Sequence, residues 1–104
     1  MRICIPVKEE NSLQSRVAKK IKSAKAFAII DLSPSGKISD IQFIPNNMEH
    51  DEIIPYLASH DIDLFIVGEI SKDDEEMILS MGIDIVKEAF GRVESVLKRL
   101  MGKD

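Results

Sequence analysis

The chain has little of what special chemistry usually needs. Its 104 residues include one cysteine, two histidines, five glycines and four prolines. A lone Cys4 excludes an internal disulfide, and a single thiol inside an apolar run suits a reducing, cytosolic setting. So few glycines and prolines, with no low-complexity stretch, exclude disordered and collagen-like chains. No apolar run approaches the roughly 18 residues of a membrane span. The N-terminal apolar run turns polar at Lys8, too early for the hydrophobic region of a signal peptide. Basic excess is missing too: 18 acidic against 14 basic side chains give a net charge of −4, the wrong balance for a dedicated nucleic-acid binder. The expectation is a soluble, cytoplasmic protein with neither a membrane nor a nucleic acid as partner.

What is present is core. Hydrophobic residues make up 44% of the chain, enough for one domain over 1–104. Residues 2–7 read as a buried strand. Residues 8–25 are polar, with Leu13, Val17 and Ile21 at four-residue spacing, either a helix or a loop pinned by three apolar contacts. Residues 26–32 form a second strand, 33–36 a Ser-Pro-Ser-Gly turn, and 37–45 a third strand, so the second and third make a hairpin. Ile53, Ile54, Leu57 and Ala58 share a helical face, with Pro55 expected near the first turn. Residues 62–68 form a strand ending in glycine. Ser71 caps a second helix, whose inner face is expected to carry Met77, Ile78 and Met81 and which Gly82 ends. Residues 83–86 are the last strand, and Val93, Val96, Leu97, Leu100 and Met101 line a final helix. Strands separated by helices pair in parallel. The predicted fold is therefore α/β: a mixed five-stranded sheet of order 3-2-1-4-5, as in ribonuclease-H-like folds, with helices on its faces.

Ligands of such sheets favour the crevice beyond the C-terminal strand ends, here Lys8-Glu9-Glu10, Glu69-Ile70-Ser71 and residues 87–91. Four chemistries are conceivable at such a crevice. Phosphate binding is disfavoured, because the helix after Gly68 opens with Asp73, Asp74, Glu75 and Glu76, which repel an anion, and no Walker or dinucleotide pattern exists. Carboxylate-held metal for nuclease chemistry is disfavoured, because the first strand carries no carboxylate and Asp63 and Asp84 start their strands. Cys4 reads as a core thiol and His60 as a helix-end cap, while His50 lies exposed between the third strand and the first helix; none has metal-ligand spacing. Arg16, Lys19, Lys20, Lys22 and Lys25 form either a patch for an acidic partner or anionic ligand, or a solvated face.

Taken together, the segments Ile3-Cys4-Ile5-Pro6-Val7, Ser15-Arg16-Val17, Ala24 with residues 27–31, residues 61–68, residues 81–85 and residues 91–97 resemble the dinitrogenase iron–molybdenum cofactor biosynthesis family. These are small domains that carry or handle metal–sulfur clusters. The resemblance covers nearly the whole chain. Where the family often has His-Phe-Gly-Arg, this chain has Lys20-Ile21-Lys22-Ser23, and a protonated ammonium does not ligate iron. Where it often has Gly-Ile-Gly-Pro, this chain has Glu69-Ile70-Ser71-Lys72. The resemblance implies a cleft involving Lys20, Lys22, Asn47, His50 and Glu69, with no catalytic residue and no dedicated metal ligand set. In it Lys20 and Lys22 attract an anionic cluster, Glu69 opposes it, and His50 is the remaining imidazole.

The implied function is a non-enzymatic accessory protein that binds or transfers an iron- or molybdenum-containing metal–sulfur cluster, as monomer or homodimer. The alternative is a divergent member without a cluster, acting through protein–protein contacts as an interaction or regulatory module. A small hydrolase or nuclease is the third and weakest reading. Charge in the cleft separates the first two: Glu69 turned away favours the cluster, and Glu69 filling the cleft opposes it.

Overall fold

The computed structural model describes residues 1–102, so the expected domain span of 1–104 runs past them by Lys103 and Asp104. Five strands, β1 (Arg2–Val7), β2 (Ala26–Leu32), β3 (Ile38–Pro45), β4 (Leu64–Ile66) and β5 (Asp84–Val86), alternate in the second half with α1 (His50–Ala58), α2 (Lys72–Ser80) and α3 (Val93–Leu100). The sheet order is β3-β2-β1-β4-β5. The hairpin strands are antiparallel, with Cys4 opposite Ile29 and Ala28 opposite Phe43. Pairing turns parallel from β1 to β4 and from β4 to β5, as the helical crossovers require.

The sheet divides two layers of core, and alternate residues of one strand serve each. Cys4, Phe27, Ile29 and Phe65 pack with Ile53, Ile54 and Leu57 of α1 and Ile78 of α2. Ile3, Ile5, Ala28, Ile30 and Ile66 pack with Val93, Val96 and Leu97 of α3. Burial on both faces explains why β1 and β2 read as unbroken apolar runs. At the opposite end from the crevice, the Arg2 guanidinium donates to Asp31 at 2.8 Å and to the His60 carbonyl at 2.7 Å, tying β1, β2 and the end of α1.

Of the two alternatives for residues 8–25 the loop is the one found, with Val17 and Ile21 buried and only Ile21–Ser23 in a 3₁₀ turn. Several other local expectations change. Pro55 is the sixth residue of α1, not in its first turn, because the helix begins earlier than its apolar face. The cause is an acidic cap, in which the Glu52 carboxylate accepts from the Glu49 N–H at 3.0 Å. Strands β4 and β5 are three residues each, shorter than the apolar runs around them. Met77 and Met81 are 40% and 41% exposed. Helix α2 lies at the margin of the sheet against β5 and α1, so Ile78 is its one buried residue. The C-terminal end of α3 likewise leaves Leu100 exposed. No helix among the described residues is long and apolar enough to cross a membrane.

Candidate functional site

Three chain segments are laced together by backbone hydrogen bonds beyond the C-terminal ends of β1, β4 and β5. The Glu69 N–H donates to the Lys19 carbonyl at 2.7 Å, the Glu88 N–H to the Gly68 carbonyl at 2.8 Å, and the Val17 N–H to the Gly91 carbonyl at 2.8 Å. Gly68 is the pivot. A Cβ there would stand 2.8 Å from the Lys19 carbonyl oxygen and 3.3 Å from that of Ala89, so only glycine lets the strands approach this closely. Glu88 adopts a left-handed φ of 64° as its loop turns back onto the strand ends.

Two cavities open on this framework. The first, of about 340 Å³, is lined by Lys20, Lys22, His50, Glu69, Ser71 and Asp74 with Ile21 and Ile70. Its volume falls in the range of small-ligand pockets. The second, of about 500 Å³, lies over Gly68 and is lined by Lys8, Lys19, Glu69, Glu88, Phe90 and Gly91 among others. Glu69 is common to both. Of the five candidate residues, Lys20, Lys22, His50 and Glu69 line the first cavity; Asn47 is not among its lining residues. The glutamate neither leaves the cavity nor stands free in it. Its carboxylate contacts the Lys19 ammonium at 3.5 Å, while Lys20 and Lys22 make no ion pair among the described residues.

Each imidazole has a local reason for its position. His50 opens α1, its side chain 49% exposed, and its Nε2 lies 3.2 Å from Asp74 Oδ2. Asp74 is placed by the cap of α2, where its N–H donates to Ser71 Oγ at 3.1 Å. The His60 ring instead lies against the end of α1, its Nδ1 3.0 Å from the Tyr56 carbonyl, and takes no part in the cavity.

The remaining chemistry is spare. Cys4 has no exposed surface, burial pushes its thiol pKa up, and it lines neither cavity, so its sulfur is out of contact with anything bound there. No cluster of three or more His, Cys, Asp or Glu side chains suited to a metal ion occurs among the described residues. Arg16 of the basic stretch is engaged by Glu9, whose carboxyl pKa is lowered by hydrogen bonds from the Arg16 side chain and backbone. The stretch is thus partly neutralised, and its unpaired ammonium groups at the first cavity are those of Lys20 and Lys22.

Sequence reasoning named the segments that meet here but missed the pairing of Lys19 with Glu69 and the part of Phe90. That ring is 68% exposed, with the Arg99 guanidinium 4.5 Å from its centroid. The Lys19–Glu69 pair joins residues far apart in the chain, and the Phe90–Arg99 contact spans the turn into α3, so neither follows a local periodic pattern.

Known proteins place the fold among solved relatives. The crystal structure of PH0822 superposes with a TM-score of 0.88 at 20% identity, covering 98% of this chain and 91% of that one. The apo form of the orange protein from Desulfovibrio gigas gives 0.82 at 15%, covering 97% and 87%. A Thermotoga protein provisionally assigned as NifB gives 0.79 at 17%, with the same coverage. No curated protein matches. Identities this low establish the fold alone. Sequence pattern goes further: the profile of the dinitrogenase iron–molybdenum cofactor family matches residues 1–103. Supported along that whole length, the chain belongs to the dinitrogenase iron–molybdenum cofactor family.

Proposed function

We propose that this protein is a non-enzymatic accessory protein that takes an anionic iron- or molybdenum-containing metal–sulfur cluster as cargo in the first cavity and passes it on. The observation that carries the reading is the convergence of Lys20, Lys22 and His50 on one cavity, in a chain whose family is named for the iron–molybdenum cofactor. A neighbour of the same fold is provisionally assigned as NifB, in keeping with that role.

The chemistry follows from what the cavity offers. Two ammonium groups attract an anion without fixing its geometry, as compact charges on flexible stems. His50 offers one imidazole nitrogen to a metal, in competition with its contact to Asp74. Among the described residues, neither the buried Cys4 nor a grouped carboxylate adds a second strong ligand. Cargo held by charge and one nitrogen is cargo easily released, which suits transfer better than storage.

Phe90 favours a secondary role in protein contact. It is an exposed ring backed by Arg99, whose guanidinium donates to the Phe90 carbonyl at 2.6 Å. A preset aromatic group at the rim of the second cavity is the type of anchor partner proteins use. On the same footing we read the sheet as ribonuclease-H-like, residues 1–104 as one domain, and the protein as a cytoplasmic monomer or homodimer.

The test is anaerobic titration of the apo-protein with iron–sulfur and iron–molybdenum–sulfur clusters, followed by visible absorption, beside His50→Ala. The expected result is saturable binding, weakened in the variant. Absence of binding by the wild type would move the function to its protein contacts.

A further inference from the structure

We propose that Glu69 is a resident counter-ion, which holds Lys19 until a multiply charged anion replaces it and so sets the charge the cargo must carry. The inference rests on the cargo function proposed above and adds a residue that selects the cargo.

Glu69 lines both cavities and Lys19 the second. The Lys19 ammonium lies 3.5 Å from a carboxylate that borders the first cavity, while Lys19 itself lines the second, so a change of rotamer must carry it to cargo in the first. The backbone under it is fixed. The Glu69 N–H is bonded to the Lys19 carbonyl at 2.7 Å, and Gly68 runs so close to the same carbonyl that a Cβ there would stand 2.8 Å from it. Exchange is therefore a matter of side-chain rotamers.

Energetics decide who wins. The two side chains are 73% and 54% exposed, and so open an ion pair is worth little more than its separated ions. A carboxylate carries one negative charge. Any anion arriving at Lys20 and Lys22 meets the repulsion of Glu69 in proportion to its charge, and a singly charged one offers Lys19 no better partner than the carboxylate. A dianion or larger charge attracts Lys19 more strongly than Glu69 does at equal distance. It recruits a third ammonium beside Lys20 and Lys22. The glutamate that stands in the cleft thus acts as a threshold, and its presence there is compatible with anionic cargo.

The experiment uses tetrathiomolybdate, a dianion with visible absorption, as the probe. The apo-protein, Glu69→Gln, Lys19→Met and the double variant are titrated anaerobically at low salt. Circular dichroism confirms that all four are folded; the altered side chains are exposed and leave the backbone bonds in place. Glu69→Gln is expected to bind the probe about three- to fivefold tighter, the range an exposed pair permits. The double variant is expected to lose that gain, because the released ammonium is gone, and Lys19→Met to bind weakest of the four. If the wild type binds but Glu69→Gln binds no tighter, the counter-ion inference fails and the cargo reading stands. If Glu69→Gln tightens equally with and without Lys19, simple removal of negative charge accounts for it and the exchange is refuted. If none of the four binds, the cargo reading fails and the inference with it.

Discussion

Replacing Gly68 with alanine tests whether the framework under both cavities depends on a backbone approach that only glycine allows. The new Cβ would meet the Lys19 carbonyl oxygen at 2.8 Å, the Lys19 Cα at 3.2 Å and the Ala89 carbonyl oxygen at 3.3 Å. All three are main-chain atoms, so no side chain can swing aside. Packing an extra carbon into a filled site costs about 1–3 kcal/mol. Backing Lys19 away also stretches the 2.7 Å bond from the Glu69 N–H, and weakening such a bond costs about 0.5–1.5 kcal/mol. The expected destabilisation is thus about 2–4 kcal/mol, a large part of the 5–15 kcal/mol typical of a whole domain. Urea unfolding followed by circular dichroism should show the midpoint falling by roughly 1–2 M at the usual slope for a small protein. Gly82→Ala is the control. It has no atom within 4 Å of a new Cβ but a φ of +79°, so its cost is conformational, about 1–2 kcal/mol. A Gly68→Ala midpoint within error of wild type, or above that of Gly82→Ala, would refute the close-approach argument.

Other predictions bear on the cap, the thiol and the acid limb of stability. Ser71→Ala removes the acceptor for the Asp74 N–H and should cost about 0.5–2 kcal/mol in thermal or urea unfolding; no change would mean that α2 is not anchored by its cap. Cys4, fully buried with a raised thiol pKa, should react with a thiol reagent only as fast as the protein opens, and labelling of the native state at the rate of the urea-unfolded chain would contradict its placement. Glu9 has a lowered folded pKa, first through its hydrogen bond from the Arg16 side chain. Its stabilisation is therefore complete above the usual glutamate range and lost as the pH falls through the folded value. The stability gap between wild type and Glu9→Gln should close on acidification, and a gap constant from neutral to acid pH would rule the pair out as its source.

The sheet was legible because its signals are local. Residues 26–32, apolar and followed by Ser-Pro-Ser-Gly, predict β2 with the bounds observed, and the alternation of helices with short apolar runs forces the parallel half of the sheet. Ser71 capped α2 as its sequence suggests. Met77 and Met81 misled because helical spacing cannot tell a helix pressed into a core from one lying at a sheet margin. Pro55 misled because the apolar face of α1 starts after its acidic cap. In the site, resemblance and charge point to Lys20, Lys22, His50 and Glu69, and three separate segments bring them to one cavity. Asn47, which the resemblance also implies, lies three residues before His50 yet is not among the residues lining that wall. The partnership of Lys19 with Glu69 spans fifty residues of sequence and rests on the glycine between β4 and the crevice, so only the folded chain reveals it.

The central claim is that the first cavity holds an anionic metal–sulfur cluster through Lys20 and Lys22. Its most direct measurement is the metal retained per chain after anaerobic incubation with an iron–molybdenum–sulfur cluster and desalting, for wild type beside Lys20→Met/Lys22→Met. The account predicts retention approaching one cluster per chain or per dimer in the wild type and its loss in the double variant, with folding unchanged. Equal retention by both proteins, or none by the wild type, would contradict it.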